Sequence, residues 1–225
     1  MFVYIPNLFA TVVEQQSARH LFSLRVNPGD VLTATDLAGS LANIKILKYN
    51  KDTMEVEFEM LEKTLKKLPK PDKVLIQALI DKNYIDKLLE VVPLANIGEV
   101  YFYPSKRSNL SELSLDRFTK ILIRSAEQSE KTWLTKLKLL DLGEAKEMIQ
   151  SLKPVVMEFN PESGNSQNKS SLLSNSSDNL SVLVGPEGGW EEFELTQFKK
   201  FGLEFGSLPN GVLPAWIAGY SWFAK

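Results

Sequence analysis

Residues 181–195 read SVLVGPEGGWEEFEL, where a short apolar run stops at three glycines and a proline before an acidic segment begins. The run is short enough for a buried strand, and glutamates favour the first turn of a helix. Gly185, Gly188 and Gly189 permit close backbone approach and positive φ, and Pro186 stiffens the turn. Ligands of open α/β sheets bind beyond the carboxyl ends of strands. The stretch therefore predicts a strand-to-helix turn, which is either purely conformational or a backbone-lined binding loop.

This loop is not one of the common phosphate-binding loops. It lacks both the GxGxxG spacing and the GK[ST] ending. Glu191 and Glu192 stand in the first turn of the predicted helix, where they disfavour a phosphate. We therefore expect neither a dinucleotide nor a nucleoside triphosphate at this position.

A second loop of the same form lies near the C-terminal end of the sequence, within LEFGSLPNGVLPAWIAGYSWFAK (203–225). Pro209, Asn210 and Gly211 predict a turn, and Pro214 suits the first position of a helix. The two loops are either ordinary turns or the walls of one backbone-lined pocket. Such a pocket suits a neutral or zwitterionic small molecule with a flat ring better than a triphosphate.

Composition excludes several classes of site. The 225 residues include no cysteine and one histidine, His20, so we predict no disulfide, no thiolate site and no metal. The net charge of −2 predicts no global basic field, although a local basic patch stays possible. No apolar run reaches the ~18 residues of a membrane span, and MFVYIPNLFATVV lacks the positive region of a signal peptide. These features predict a cytoplasmic protein.

The two halves of the chain differ in their pattern of predicted secondary structure. Residues 1–68 read as short strands and predict a small barrel or sandwich, followed by a linker at 66–73, KKLPKPDK. From residue 73 onward, strands alternate with helices and predict an α/β domain with a largely parallel sheet. Residues 160–181 are rich in serine and asparagine, which predicts a flexible loop or, alternatively, a functional one.

The α/β half carries these predicted elements in chain order: strand 73–80, helix 81–92 capped by Asp81, strand 99–103, helix 114–130 capped by Ser114, strands 154–159 and 181–185, helix 191–201, strand 203–208 and helix 214–224.

Four motifs resemble one known family, the SPOUT-class 16S rRNA (uridine-N3) methyltransferases. VLVGPEGGWEEFEL (182–195) resembles the family pattern LLxGPEGGxxxxE, and SLPNGVLPAWIAGY (207–220) lines up with LGxRILRxETA. KILIRSAEQSEK (120–131) resembles KIAxxAxEQSxR, and HLFSLRVNPGD (20–30) resembles HLxxVLRLxxGD. The four matches occur in the family's order and span most of the chain.

The resemblance implies an N-terminal PUA-like β-barrel (1–68) that helps to hold RNA. It implies a C-terminal SPOUT α/β domain (73–225) with a trefoil knot, one of the rare threaded folds. It further implies S-adenosylmethionine as cofactor, 16S rRNA or the small ribosomal subunit as partner, and a homodimer. The residues it assigns to the cofactor are Gly185, Pro186, Glu187, Gly188, Gly189, Leu208, Asn210, Gly211, Val212, Leu213 and Ala218.

Glu127, in the AEQS motif, is the candidate general base for removing the N3 proton of uridine; the alternative is a structural cap or cross-link. Gln128 shares this assignment as an RNA contact. Arg25, Arg107 and Arg124 are candidate phosphate ligands, or else ordinary surface ion pairs.

The last motif departs from its pattern, because Pro214, Trp216 and Ile217 replace the family's arginine, glutamate and threonine. Three functions therefore stay open: methylation of uridine N3, RNA binding by a fold that has lost its chemistry, and methylation of a different nucleotide. The aromatic residues Trp216, Tyr220, Trp222 and Phe223 could stack bases, but their helical spacing favours a core or dimer interface.

Overall fold

The computed structural model describes residues 1–61, 65–108, 113–158, 180–208 and 213–224. The chain divides into two compact units. Unit 1 comprises Met1–Lys70 and Leu122–Leu134, and unit 2 comprises Pro71–Ile121 and Thr135–Lys225. Most of the predicted flexible loop 160–181 lies outside the described residues.

Unit 1 is built on one mixed sheet. Its elements are β1 Phe2–Tyr4, β2 Val12–Glu14, α1 Gln15–Ser23, β3 Val31–Thr35, β4 Ser40–Asn50, β5 Glu55–Met60 and β6 Lys66–Lys67. The strand order is β1-β3-β4-β5-β2, with β6 paired to β4. Only the β1–β3 pair is parallel. The edge strands β1 and β2 do not pair with each other in the described residues, so the sheet is open and no closed barrel is found.

The core of unit 1 follows from alternation along β4. Ala42, Ile44 and Ile46 occupy every second position, so all three face the same side of the sheet, where they pack with Val3 and Phe58. A bulge between Ile46 and Lys48 ends this alternation.

Two predictions for residues 1–73 are wrong. Residues 15–23 form the helix α1 within a half of the chain that was read as short strands, because Ala18 and Leu21 are spaced for one buried helical face. Lys66 and Lys67, assigned to a linker, form strand β6 beside β4.

Unit 2 is built on a parallel sheet, as predicted. Its strands are β7 Lys73–Ala78, β8 Ile97–Tyr103, β9 Lys136–Leu139, β10 Val155–Met157, β11 Ser181–Val184 and β12 Phe205–Gly206. The order is β12-β10-β11-β7-β8-β9, and every adjacent pair is parallel. The helices are α2 Lys82–Val91, α3 Leu115–Gln128, α4 Leu142–Leu152, α5 Glu192–Lys200 and α6 Ala215–Phe223, with a 3-10 helix at Val92–Ala95. Helix α3 passes from unit 2 into unit 1 at residue 122.

Local sequence explains where these helices begin. The side chain of Asp81 accepts the backbone N–H of Asn83 (2.9 Å), which confirms the predicted cap of α2. Helix α4, together with β9, was not predicted. Its start is nevertheless encoded, because Asp141 and Glu144 form a reciprocal capping box.

Helix α6 lies unusually close to the sheet at Gly219. A Cβ atom at this position would lie 2.5 Å from Cδ1 of Leu75, in the middle of β7. Leu75 is fully buried, so it has little room to move. Only glycine lets α6 approach β7 this closely.

Gly219→Ala is therefore expected to lower the free energy of unfolding by about 1–3 kcal/mol, because overpacking outweighs the better helix propensity of alanine. Urea unfolding measures the change. Leu75→Ala alone should cost about 2–5 kcal/mol through the cavity it leaves. The double variant should be less destabilised than the sum of the two, and strict additivity would contradict the contact.

Candidate functional site

A cleft of about 760 Å³ opens in unit 2 beyond the carboxyl ends of β10, β11 and β12. Gly185 directly follows β11, Glu158 follows β10, and Ser207 follows β12, and all three line the cleft. This is the position at which ligands bind in open parallel sheets. The start of α6 closes the opposite wall with Pro214 and Ala215.

The structure brings together the predicted cofactor residues that it describes. Eight of them line this cleft: Gly185, Pro186, Glu187, Gly188, Gly189, Leu208, Leu213 and Ala218. Asn210, Gly211 and Val212 lie outside the described residues. The segment 185–189 and the described residues on either side of the second predicted turn, Leu208 and Leu213, therefore share one concave surface.

The loop Gly185–Gly189, called here the glycine loop, is tied to the sheet and to α2. The side-chain amide of Gln77, on β7, donates to the carbonyl oxygen of Gly185 (3.0 Å). Oε1 of Glu187 accepts the backbone N–H of Asp81 (3.0 Å), the residue that caps α2. Within the loop, the N–H of Gly189 donates to the carbonyl of Pro186 (2.9 Å), with φ of Gly189 at +70°.

Arg107 holds the same loop from another direction. Its guanidinium donates to the carbonyl oxygen of Gly188 (2.8 Å) and to Oε1 of Glu191 (2.6 Å). A Cβ atom on Gly188 would lie 3.3 Å from the Arg107 side chain, so glycine leaves the space that this arginine uses. The predicted phosphate ligand is thus engaged in a structural contact.

Trp190 forms the inner wall of the cleft. Its indole N–H donates to the carbonyl of Met157 at the end of β10 (3.0 Å), and its ring meets Phe198 edge-to-face at 5.0 Å. A Cβ atom on Gly185 would lie 3.0 Å from this indole. Gly185 therefore allows the indole of Trp190 to pack closely, whereas Gly189 allows the positive φ of the turn.

The cleft carries negative but no positive side chains among its described lining residues. Glu158 and Glu187 line it, and no lysine or arginine does. Carboxylates beside an otherwise apolar surface favour a cationic or zwitterionic ligand and repel a phosphate. The charge pattern agrees with the ligand class that the glycine loop indicates.

The other predicted site residues belong to unit 1. Oε1 of Glu127 accepts the backbone N–H of Tyr4 on β1 (2.8 Å) and lies 3.4 Å from Nε2 of His20. Burial, aided by the carboxylates of Asp36 and Glu127, raises the pKa of the Tyr4 phenol. Glu127 therefore has a structural contact within unit 1, whatever else it does.

The remaining predicted RNA contacts are exposed. Arg124 and Gln128 stand one turn apart on α3, and Arg25 follows α1 with φ of +56°. Side chains in these positions are available to an RNA backbone.

The aromatic residues of α6 do not act as one set. Trp222 and Phe223 are buried, in line with the core interpretation, whereas Trp216 lines the cleft and Tyr220 is half-buried. Sequence reasoning missed Gln77 and Trp190. Gln77 could have been noticed as the one uncharged polar residue in KVLIQALI, and Trp190 as the large residue after the glycines.

In the described part of the chain, no group of acidic and histidine side chains is arranged to hold a metal ion. Over the same residues, none of the helices has the length and apolarity that crossing a bilayer requires.

Known proteins resemble this chain at the level of sequence and fold. A Helicobacter pylori protein, ribosomal RNA small subunit methyltransferase E, is 29% identical over 131 residues, which are 56% of this chain and 54% of that protein. The match thus spans about half the length of this relative.

Solved structures share the fold over nearly the whole chain. The ribosomal RNA small subunit methyltransferase E of Neisseria gonorrhoeae, bound to S-adenosyl methionine, has a TM-score of 0.82 at 22% identity, covering 99% of this chain and 94% of that one. A Legionella pneumophila protein in complex with the bound cofactor SAM has a TM-score of 0.77 at 14% identity, covering 99% and 95%.

The sequence profile of the RNA methyltransferase domain matches residues 66–220, which include every described residue of the cleft. The chain belongs to the RNA methyltransferase domain family.

Proposed function

We propose that this protein transfers a methyl group from S-adenosylmethionine to N3 of a uridine in 16S rRNA. The single observation that carries the proposal is the cleft, whose lining combines the GPEGG loop with Leu208 and Leu213. Family membership supports methyl transfer to RNA. The names of the relatives and the four motifs support the small-subunit rRNA and the uridine.

The residues of the cleft fit S-adenosylmethionine. Its sulfonium and amino acid groups suit a surface with Glu158 and Glu187 and no cationic side chain among its described lining residues. Its adenine ring would suit the apolar wall near Leu208, Leu213 and Ala218. When bound, it supplies an electrophilic methyl group.

The chemistry on the RNA side requires removal of one proton. Uridine N3 is protonated at neutral pH, so a base must accept that proton as the N3–methyl bond forms. Glu127 is our candidate, and its Oε1 accepts the backbone N–H of Tyr4. Arg25, Arg124 and Gln128 are proposed to hold the RNA, with Arg107 contributing its exposed edge.

The finer architecture of the family belongs to the same proposal. We infer that unit 1 is a PUA-like fold, that unit 2 contains a trefoil knot, and that the protein works as a cytoplasmic homodimer. The knot is inferred from the family resemblance; in the described residues, α6 follows the edge strand β12 in the chain and packs on the central strands β7 and β11.

One observation favours a second candidate, an RNA-binding protein without catalysis. Trp216, in the place of the family's glutamate, lines the cleft and reduces its polar character. Cofactor binding without methyl transfer to any rRNA would support this second function.

Placing a larger side chain in the cleft tests the cofactor site. Ala218→Leu should weaken binding of S-adenosylmethionine by about tenfold or more, because the added atoms occupy the adenine wall. Isothermal titration calorimetry measures the affinity. Ala224→Leu, the same change at the exposed end of α6, should bind normally. If a folded Ala218→Leu variant bound S-adenosylmethionine with unchanged affinity, the cofactor would not bind in this cleft.

The reaction is tested by transfer of labelled methyl groups to small ribosomal subunits from cells that lack the protein, with the product nucleoside identified by mass spectrometry. Label should appear as N3-methyluridine. Glu127→Gln should reduce the rate about 10²- to 10⁴-fold, since glutamine can accept the Tyr4 N–H but cannot take a proton. The matched control is Glu130→Gln, at an exposed residue of the same segment. A Glu127→Gln rate close to wild type would place the base elsewhere.

A further inference from the structure

We propose that Tyr84, Lys87 and Trp216 form a nucleotide subsite at the rim of the cleft, where a base of single-stranded RNA stacks and a phosphate meets the lysine. This inference rests on the proposed function, because it assigns the residues that would present RNA to the cleft. Tyr84 and Lys87 are not among the RNA contacts expected from the sequence, and for Trp216 the sequence favoured a core or interface role over base stacking.

Two helices of unit 2 bring these side chains together. Tyr84 and Lys87 lie three residues apart on α2, hence on one face, and Trp216 lies in the first turn of α6, which packs against α2. Nζ of Lys87 lies 5.0 Å from the ring centre of Tyr84 and 5.8 Å from that of Trp216. One ammonium group thus bridges two aromatic rings.

The position of this cluster relates it to the cleft. Tyr84 and Trp216 both line the cleft, yet Tyr84 is 39% exposed and Lys87 is also exposed. The rings therefore present surface to the cleft and to solvent together. A flat base that stacked on them would lie next to the ligand bound beside the glycine loop.

Charge separates the rim from the interior. Glu158 and Glu187 make the interior unfavourable for phosphate, whereas Lys87 makes the rim favourable. Aromatic platforms combined with cationic side chains are the usual way in which proteins bind single-stranded nucleic acid. The cluster has both parts, arranged around one opening.

Trp216→Leu tests the stacking. We expect a rise of about tenfold in the RNA KM for methyl transfer, and a similar loss of affinity for a uridine-containing RNA oligonucleotide, because leucine offers no π-face. Affinity for S-adenosylmethionine should stay within about threefold. Trp216→Phe should restore much of the RNA affinity. The matched control is Phe193→Leu, at a 69% exposed aromatic residue on α5 away from the cleft, and it should bind RNA normally.

Lys87→Met tests the phosphate contact. The slope of log affinity against log salt concentration should become shallower by about 0.7, the contribution of one phosphate contact in a single strand. An unchanged slope would overturn the role of the lysine.

The remaining outcomes separate this proposal from its alternatives. Loss of S-adenosylmethionine affinity in Trp216→Leu with normal RNA affinity would make Trp216 part of the cofactor site and overturn the subsite. Dissociation of a wild-type dimer by Trp216→Leu, seen in sedimentation, would assign the cluster to an interface between two copies. Wild-type protein that binds RNA but neither binds nor uses S-adenosylmethionine would refute the proposed function and leave the RNA subsite standing.

Discussion

The geometry of the cleft depends on a hydrogen bond from the middle of the sheet. Gln77 is completely buried on β7, and its amide nitrogen donates to the carbonyls of Gly185 (3.0 Å) and Ala78 (3.1 Å). Its Oε1 has no partner among the described residues, which costs about 1–3 kcal/mol for a buried polar atom. An apolar side chain would avoid that cost, but it would leave the carbonyl of Gly185 without this donor. The contact sets where the glycine loop leaves the sheet.

The polar side chains nearest the glycine loop are largely engaged in holding it. Glu187 accepts from the start of α2, and Arg107 bonds both Gly188 and Glu191. From the sequence alone, the side chains of Glu187 and Arg107 could both be taken for ligand-binding groups. Since these contacts prevent the loop from collapsing or swinging out, they organise the cleft before any ligand arrives. Recognition in the interior is then left to backbone groups, Trp190 and the charge of the two glutamates.

The features that the sequence predicted correctly depend on residues that are close together along the chain. The parallel sheet of unit 2 and the cap of α2 could be derived from apolar runs and capping residues, and the turn residues singled out Gly185–Gly189, which lines the cleft. The helix α1 was missed because its buried face is only two turns long. Strand β9 has only four residues at the edge of the sheet, which is too short for a clear alternation. Helix α4 was missed although its capping box is encoded in the sequence. The contacts of Gln77 and Arg107 with the glycine loop join residues at least 80 positions apart. The inclusion of residues 122–134 in unit 1 joins them to residues more than 50 positions earlier in the chain. No local pattern encodes such pairs.

The aromatic residues of α6 show how the sheet gives neighbouring positions different roles. Trp216, Gly219 and Phe223 recur at helical spacing and so share one face of the helix. Gly219 meets Leu75 in the middle of β7, and the ring of Phe223 lies near Lys73, the first residue of that strand. The helix therefore runs antiparallel to β7, and its face reaches the carboxyl ends of the strands at its first turn. There the sheet stops and the cleft begins, so Trp216 has no strand to cover its ring. Burial of Phe223 and exposure of Trp216 to the cleft are thus two consequences of one close contact between α6 and β7.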